Sequence, residues 1–437
     1  MWFGHDQFSK TELPGRHMAS VQNRFYWPDG RVSFLPNGNL EHCRHALMGS
    51  SGRGVTFRRS MAIFNRPATA SNPSLAPPKQ TVNNAGQTSG RSKLMPYMAT
   101  WRRLCRQISS QAFLCWRRHE FARKSDREAW TDLPYRVWKD TCTTLQLWTQ
   151  IVGKIRLSQT PWLNHSWHVA LYMTARGLTT SPISFGERVF QIDFDFIDHL
   201  LRIETSDGRQ RQIPLRAQSV ADFYVAVVAG LADLRIKVKI GEWPNEVPDP
   251  IRFGEDRTHA AYDPEYARRF LKILLQVDRA FKLFRTGFIG KCSPVHFFWG
   301  SFDLAVTRFS GRPAPLHPGG IPNLSDEVVR EAHSHEVSSA GFWPGGGIIE
   351  YPAFYSYAYP EPAGFRSAAA CPKGAFYSKQ LREFILPYDV VRAAEMPDET
   401  LLEFLQSTYE GAADFGNWHR AVLECPLGAA GVPRAVS

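Results

Sequence analysis

The sequence predicts an α+β fold in which helices pack on one face of an antiparallel sheet, after a largely disordered N-terminal extension. Apolar and polar residues alternate in "VFQIDFDF" (residues 189–196), which is typical of a half-buried strand. In "LLRIETSDGRQRQIPL", Asp207-Gly208 separates two strand-like runs, which predicts a β-hairpin. Apolar residues recur at helical spacing in other stretches, so helices accompany these neighbouring strands.

Helix predictions rest on apolar spacing and on residues that favour helix ends. The first helix lies in "EAWTDLPYRVWKDTCTTLQLWTQIVGKIRLS" (128–158). Ser219 caps a second helix that extends to about Leu234, and Asp263-Pro264 begins a third that runs to about Arg285. "SDEVVREAHSHEV" begins as a helix, and "DETLLEFLQSTYEGAADFGNWHRAVLE" predicts a C-terminal helix of one or two pieces.

Further strands are predicted from alternation and aromatic content. "HSWHVALYMTARGL" reads as a half-buried strand, and "RIKVKI" as a short one. "SPVHFFWGSFDLAVTRFSGR" (293–312) is predicted as a strand with a bulge or bend at Gly300-Ser301. "SSAGFWPGG" and "PAFYSYAYPEP" are predicted as strands or extended loops.

Charge and composition divide the 437 residues into parts. Residues 1–125 hold 19 of the 52 basic and 5 of the 41 acidic side chains, so residues 126–437 hold 33 basic and 36 acidic, a net charge of −3. We expect residues 1–97 to be disordered, or an extension from a start codon assigned too early, because they offer little to bury. Residues 126–425 are predicted to form one domain, followed by a tail, 426–437.

Residues 98–125 are predicted to form a basic amphipathic helix or linker, with Trp101, Leu104 and Ile108 on one face. This segment could lie on an acidic membrane surface, could be an arginine-rich transit peptide, or could belong to the same N-terminal extension. Since residues 126–437 show no basic excess, no nucleic-acid partner is expected for them.

Composition also limits the setting and the cofactors. The seven cysteines form no CxxC pair, which favours reduced thiols in a cytoplasmic protein. No run of 18 apolar residues occurs, so no transmembrane segment is expected. No glycine-rich nucleotide-binding motif follows a predicted strand, and no cofactor can be assigned, although a metal ion stays possible.

Aromatic stretches predict a pocket for a small organic ligand. Aromatic residues make up 13% of the chain, and hydroxyl-bearing rings suit a flat or sugar-like ligand. His168 and Tyr172 share a face of their predicted strand, and Trp299, Trp343 and Tyr355 come from the other aromatic runs. The competing interpretation is that about half of these rings only close the core.

Two polar residues stand inside the apolar run 293–312. On a regular strand His296 and Asp303 would face opposite ways, and a one-residue bulge at Gly300-Ser301 would bring them to the same face. Asp303 stands between apolar residues, so it needs a partner or becomes protonated. It is either a site residue or half of a buried ion pair, with Arg308 near it in sequence.

The run "EAHSHEV" is the densest cluster of metal-ligand residue types. If the run is helical, Glu331 and His335 lie one turn apart; if it is extended, His333 and His335 share a face, with Glu336 opposite. His333 and His335 are therefore the candidate metal ligands. The alternative is that these histidines line a pocket or lie on the surface.

Several long motifs in one order resemble a widespread bacterial family known only as a domain of unknown function. These motifs are "TLQLWTQIVGKIRL", "NHSWHVALYMTARGL", "SPVHFFWGSFDLAVTRFSGR" and "SHEVSSAGFWPG". The resemblance covers about residues 128–425 and implies a domain and its boundaries, not an activity. Similar proteins tend to have histidine where this chain has Gln146, and glutamine can replace a histidine that donates a hydrogen bond.

The leading functional hypothesis is a cytoplasmic enzyme that acts on a small organic molecule in the aromatic pocket. In this hypothesis His335 or Glu336 is the general base, His296 and Asp303 are further catalytic groups, and Arg308 anchors an anion. One alternative is a binding module that holds a small ligand without turnover. Another is a structural or partner-binding protein whose aromatic residues are mostly core.

Overall fold

The computed structural model describes residues 129–321 and 323–434, together with the backbone of two short strands. These strands, β1 (Phe25–Tyr26) and β2 (Val32–Ser33), pair antiparallel within the unit Phe8–Leu114. The predictions made for residues 1–97 and 98–125 otherwise fall outside the described residues. They stay predictions, as does the boundary at residue 425.

The predicted helices form, and their N-terminal caps explain where two of them begin. Ser219 Oγ accepts a hydrogen bond from the backbone N–H of Asp222 at 3.1 Å, and Asp263 Oδ1 accepts one from Glu265 at 2.8 Å. No described helix is long and apolar enough to cross a lipid bilayer. The described helices are α1 (Tyr135–Gln159), α2 (Val220–Asp233), α3 (Pro264–Thr286), α4 (Asp326–Ala332), α5 (Tyr388–Arg392), α6 (Pro397–Phe415) and α7 (Arg420–Leu423).

The strands of the first half of the domain form one antiparallel sheet. The predicted hairpin at Asp207-Gly208 is confirmed, with Gly208 in the left-handed region at φ 82°. The strands lie in the order β3 (Tyr172–Met173), β4 (Gly177–Thr179), β6 (Arg188–Asp195), β7 (Leu200–Thr205) and β8 (Gln210–Pro214), and β5 (Ile183–Phe185) pairs with β6.

The second half of the domain forms another antiparallel sheet. The α+β fold class is confirmed, whereas the expectation of one sheet is wrong, because the strands between residues 172 and 387 form two six-stranded sheets. Reciprocal backbone hydrogen bonds between Leu171 and Phe297, at 2.9 and 2.8 Å, link them. The second sheet has the order β13 (Phe376–Ser378), β14 (Glu383–Pro387), β12 (Ala353–Tyr359), β11 (His335–Trp343), β10 (Asp303–Pro313) and β9 (His296–Phe298).

The two faces of this second sheet have different roles. A cross-strand row of Leu304, Phe342, Phe354 and Leu386 is fully buried against the side covered by α3 and α6. This side holds the core, since burial of such apolar side chains is the main force that stabilises a fold. The next cross-strand row faces the opposite side of the sheet and consists of Ala305, Gly341, Tyr355 and Ile385.

Two strand predictions fail for identifiable reasons. The strand in "HSWHVALYMTARGL" shrinks to β3, because Asn164–Ser166 forms a 3₁₀ turn in which His165 and Ser166 are left-handed, at φ 58° and 55°. Hydrogen bonds to residues distant in sequence hold that turn and override the alternation. "RIKVKI" forms no strand, since no neighbouring strand pairs with residues 235–240.

The predicted bent strand over 293–312 is a hairpin. The chain reverses between β9 and β10, where the Phe302 N–H donates to the Phe298 carbonyl at 2.8 Å. His296 pairs with Ala305, so it faces the same side as Asp303. The two side chains therefore share a face, although a tight turn and not a bulge brings them there.

Gly341 should be essential to the register of this sheet. A Cβ at residue 341 would lie 2.4 Å from the phenol ring of Tyr355, its cross-strand partner. We expect Gly341→Ala to lower the free energy of unfolding of the full chain by about 1–3 kcal/mol in urea titrations. The control is Gly241→Ala, where a Cβ meets no atom within 4 Å. An equally stable Gly341→Ala variant would contradict the packing described here.

Candidate functional site

The face of the second sheet opposite the core forms the floor of a cavity of ≈ 120 Å³. A volume of this size accommodates several water molecules or one small organic molecule. Six aromatic rings contribute to the walls, together with two acidic and two histidine side chains. The lining includes Trp167, Phe298, Trp299, Phe309, Tyr355, Tyr357, Glu246, Asp303, His165 and His333.

Asp303 is the best-held polar group of the floor. Its carboxylate is 1% exposed and accepts hydrogen bonds from the hydroxyls of Ser301 and Tyr355, the latter at 2.5 Å. Both donors fix the orientation of the buried carboxyl group. In return, burial and the charge of Asp303 raise the pKa of Tyr355, so that ring stays a donor.

A second acidic side chain, Glu246, comes from the loop between α2 and α3. Its backbone is left-handed, at φ 58°. The side chain lies against the turn between β9 and β10, where a Cβ at Gly300 would come within 2.1 Å of Glu246 Oε1. Burial, reinforced by the charge of Asp303, raises the pKa of Glu246 to about 7. Among the described residues, none donates a hydrogen bond to this carboxyl group.

One face of α1 contacts both the loop that carries Glu246 and the turn between β9 and β10. Gln150 clamps the backbone of Asn245, donating to its carbonyl at 2.9 Å and accepting from its N–H at 2.8 Å. Gln146 Nε2 donates to the carbonyl of Gly300 at 2.8 Å. Lys154 donates to the Asn245 side chain, and burial lowers the pKa of this lysine to about 8. Residues 146, 150 and 154 are spaced by one helical turn, so they share one face.

A third carboxyl group lies on the same sheet face, outside the cavity lining. Glu383 begins β14, two residues before Ile385, and therefore faces the same side as Ile385 and Tyr355. It is 2% exposed, and its Oε2 finds no hydrogen-bond partner among the described residues. Burial, together with the charge of Asp303, raises its pKa to about 8.

His165 is one of the two histidines that line the cavity. His165 is left-handed, its Nδ1 lies 3.0 Å from the Ala332 carbonyl, and its Nε2 lies 2.5 Å from Lys291 Nζ. Its backbone N–H donates to Glu331 Oε1 at 2.8 Å. Burial lowers the pKa of His165, so the neutral ring prevails near pH 7. The His335 ring lies edge-on to it, with centroids 5.7 Å apart.

The structure brings some of the predicted site residues to the cavity. Asp303, Trp299, Tyr355 and His333 line it. Trp299 is fixed by a hydrogen bond from its indole N–H to the Val169 carbonyl at 2.8 Å.

Other predicted site residues lie behind this wall. His296 Nε2 is 3.3 Å from the Tyr172 hydroxyl, and its ring lies 5.7 Å from the lining ring of Trp167. Burial lowers the pKa of His296 to about 3, so it is uncharged. His168 accepts a hydrogen bond from the Leu163 N–H at 3.2 Å, and Trp343 packs at the far end of the sheet face.

Two predicted roles need correction. Arg308 alternates with Thr307 and Phe309, so it points away from the cavity, under α3 and α6. Its guanidinium lies 3.4 Å from the ring centroid of Phe284 and 4.3 Å from that of Tyr409. Arg308 is therefore a buried structural cation, not an anion anchor in the cavity.

Glu336 also lies on the wrong face to act with Asp303. It alternates with Val337 along β11, and its carboxylate accepts hydrogen bonds from Arg312 at 2.6 and 2.8 Å. This ion pair engages it where β11 begins and β10 ends. His335 keeps the face of Val337, beside His165.

Within residues 129–321 and 323–434, no three His, Cys, Asp or Glu side chains are grouped so that they could hold a metal ion. The candidate ligands differ in their surroundings. His333 is buried with Nδ1 3.0 Å from the Val329 carbonyl, whereas His335 is partly exposed beside Ser334.

Glu246 and Glu383 were not among the predicted site residues. Glu246 lies in "GEWPNEVPDP", which has no periodicity, and Glu383 in "REFILPYDVVR", which looks like an ordinary strand. The signal that could have been used is on α1, where Gln146, Gln150 and Lys154 form a polar stripe among apolar neighbours. Such a stripe on a buried helix indicates partners that need hydrogen bonds.

The buried Glu383 should make stability depend on pH. Its carboxyl pKa is raised from 4.5 to about 8, so the protonated side chain stabilises the folded state fully below pH 4.5 and this contribution is lost as pH rises towards 8. We expect Glu383→Gln to remove roughly 2 kcal/mol or more of the loss between pH 5 and pH 8, at about 1.4 kcal/mol per pKa unit. Urea titrations at both pH values measure it.

The control is Glu395→Gln, which changes an exposed carboxyl group. It should leave the pH dependence of the full chain unchanged. The same slope in wild type and Glu383→Gln would show that Glu383 is not held protonated.

Comparison with known proteins gives one match. The model of a family of unknown function, DUF5996, matches residues 130–425. No curated protein and no solved structure matches the chain. The matched region holds both six-stranded sheets and the whole lining of the cavity. Because the match spans more than half of the chain, the chain belongs to this family of unknown function.

Proposed function

We propose that the protein is an enzyme that moves a proton on a small organic molecule held in the aromatic cavity, with Glu246 as the general base. The observation that carries the proposal is the convergence of two acidic side chains, Glu246 and Asp303, on one aromatic-walled cavity. Their environments differ: Asp303 is fixed by two hydroxyl donors, whereas Glu246 has none among the described residues. Such a division suits one group that orients the ligand and one that exchanges a proton.

Glu246 has the properties that a general base needs. Its pKa of about 7 lies near the usual operating pH, where a base is present in quantity and accepts a proton readily. The clamp of Gln150 on Asn245 fixes the loop beside it. In the proposed step a C–H or N–H bond of the ligand breaks, its proton passes to a Glu246 oxygen, and the electron pair stays with the ligand.

The remaining groups support that step without taking part in it. Tyr355 and Ser301 keep Asp303 in a fixed orientation, so it can accept a hydrogen bond from the ligand. Trp299 and Tyr357 give the cavity an apolar wall, which strengthens polar contacts made beside it. We further propose a cytoplasmic setting, supported by the free thiols of Cys142, Cys292 and Cys425.

The proton-transfer probe 5-nitrobenzisoxazole tests the base directly. Removal of its one C–H proton breaks the ring N–O bond and releases a coloured cyanophenolate, so no further reactant is needed. We expect the full chain to accelerate this reaction, with a rate that rises as pH passes through about 7. We expect Glu246→Gln to lower the rate at least about tenfold, because an amide is not a base.

The matched control is Glu255→Gln, since Glu255 follows in the same loop and its carboxylate is exposed. Glu255→Gln makes the same change of charge and should leave the rate intact. Equal rates in wild type and Glu246→Gln, both well folded by melting temperature, would overturn the proposal.

A further inference from the structure

The charges of the lining side chains favour some classes of ligand over others. Glu246 and Asp303 are acidic, and among the described residues no lysine or arginine lines the cavity. The two lining histidines do not offset the acids. Burial lowers the pKa of both, to about 3 for His333, so they are neutral near pH 7. On the lining itself an anionic ligand would therefore meet like charge, since Lys154 and Lys291 contact lining rings without being lining residues themselves.

The aromatic rings of the lining add a preference for positive charge. Ring faces carry negative electrostatic potential and attract ammonium groups. Three lining rings already contact lysine ammonium groups of the chain itself. Lys291 Nζ lies 5.3 Å from the ring centroid of Trp167 and 4.7 Å from that of Phe309. Lys154 Nζ lies 5.7 Å from the ring centroid of Trp299. These contacts show that the rings of this site sit where cations are attracted.

Three other lining rings are not used in this way. Among the described cations, none lies over Phe298, Tyr355 or Tyr357. Tyr355 and Tyr357 are near-parallel, with centroids 6.3 Å apart and planes 18° apart, on the sheet face that carries Asp303. A cation in the cavity would thus meet free aromatic surface and a fixed carboxylate together.

Glu246 supplies an unfilled partner for such a cation. Its carboxyl group lines the cavity, and no described residue donates a hydrogen bond to it or forms an ion pair with it. The charge of Lys154 lowers the pKa of Glu246, but burial outweighs this effect. A carboxylate in apolar surroundings gains most from a ligand that carries the opposite charge. The cavity therefore combines the Asp303 carboxylate, an aromatic wall and the Glu246 carboxyl group, which accepts no hydrogen bond from the described residues.

From this combination we infer that the ligand is a small organic cation, an alkylammonium or amine whose charged end lies between Glu246, Asp303 and the rings of Tyr355 and Tyr357. The inference rests on the proposed function, because it names the substrate class of the same site. It also gives Glu246 a second role, since the ionised carboxylate attracts the cation before it accepts a proton.

Choline and 3,3-dimethylbutan-1-ol test the charge alone, because the two molecules have the same shape and differ by one positive charge. Isothermal titration of the full chain at pH 8 should give choline an affinity about tenfold higher, or more, than its neutral counterpart. Between pH 6 and pH 8 choline affinity should rise by roughly tenfold, because Glu246 ionises with a pKa of about 7. Asp303 and Lys154 are the described charges that act on Glu246, and Lys154, with a pKa of about 8, begins to lose its opposing charge over the same range.

Variants test whether Glu246 causes the preference for choline. Glu246→Gln should lose most of the preference for choline and its pH dependence, whereas Glu255→Gln should keep both. Equal binding of the two probes, absence of choline binding, or an unchanged preference in Glu246→Gln would each overturn the inference. The benzisoxazole reaction needs no cation, so it decides separately whether Glu246 acts as a base.

Discussion

The hydrogen bond from Tyr355 to Asp303 is the contact on which the site depends. It joins the start of β10 to the middle of β12, across the intervening strand β11. The phenol ring can cross that strand only because Gly341 has no side chain there. The result is a rigid, polar floor on a sheet whose other face is the apolar core, so the site is held by the same strands that stabilise the fold.

The sequence allows the helices to be predicted well and the site only in part. Ser219 and Asp263 mark helix starts by their own side-chain chemistry, which is local and therefore readable. The hairpin at 293–312 could not be distinguished from a bent strand, because both leave the same alternation on either side of Gly300. Asp303 was a site candidate because it interrupts an apolar run, a signal that also needs no knowledge of contacts.

The residues that were missed depend on contacts between distant segments. Glu246 becomes a cavity residue only when Gln150, 95 positions away, fixes the neighbouring backbone. Arg308 was assigned to the site as a polar residue within an aromatic run, yet strand alternation from Asp303, the first residue of β10, already puts it on the opposite face. The error there was avoidable, whereas the role of Glu246 requires the fold.

Four of the eleven described non-glycine residues with left-handed backbones lie at the cavity, where the fold maintains them at a cost. His165, Ser166, Glu246 and Phe302, none of them glycine, have left-handed backbones at φ 55–60°, each a conformation that costs about 1–2 kcal/mol. All four lie in the cavity lining or in the turn that carries Asp303. Such residues persist only where the surrounding structure enforces them, and they cluster at functional sites. Strain and buried carboxyl groups oppose stability at the same place, so the fold gives up part of its stability around this cavity.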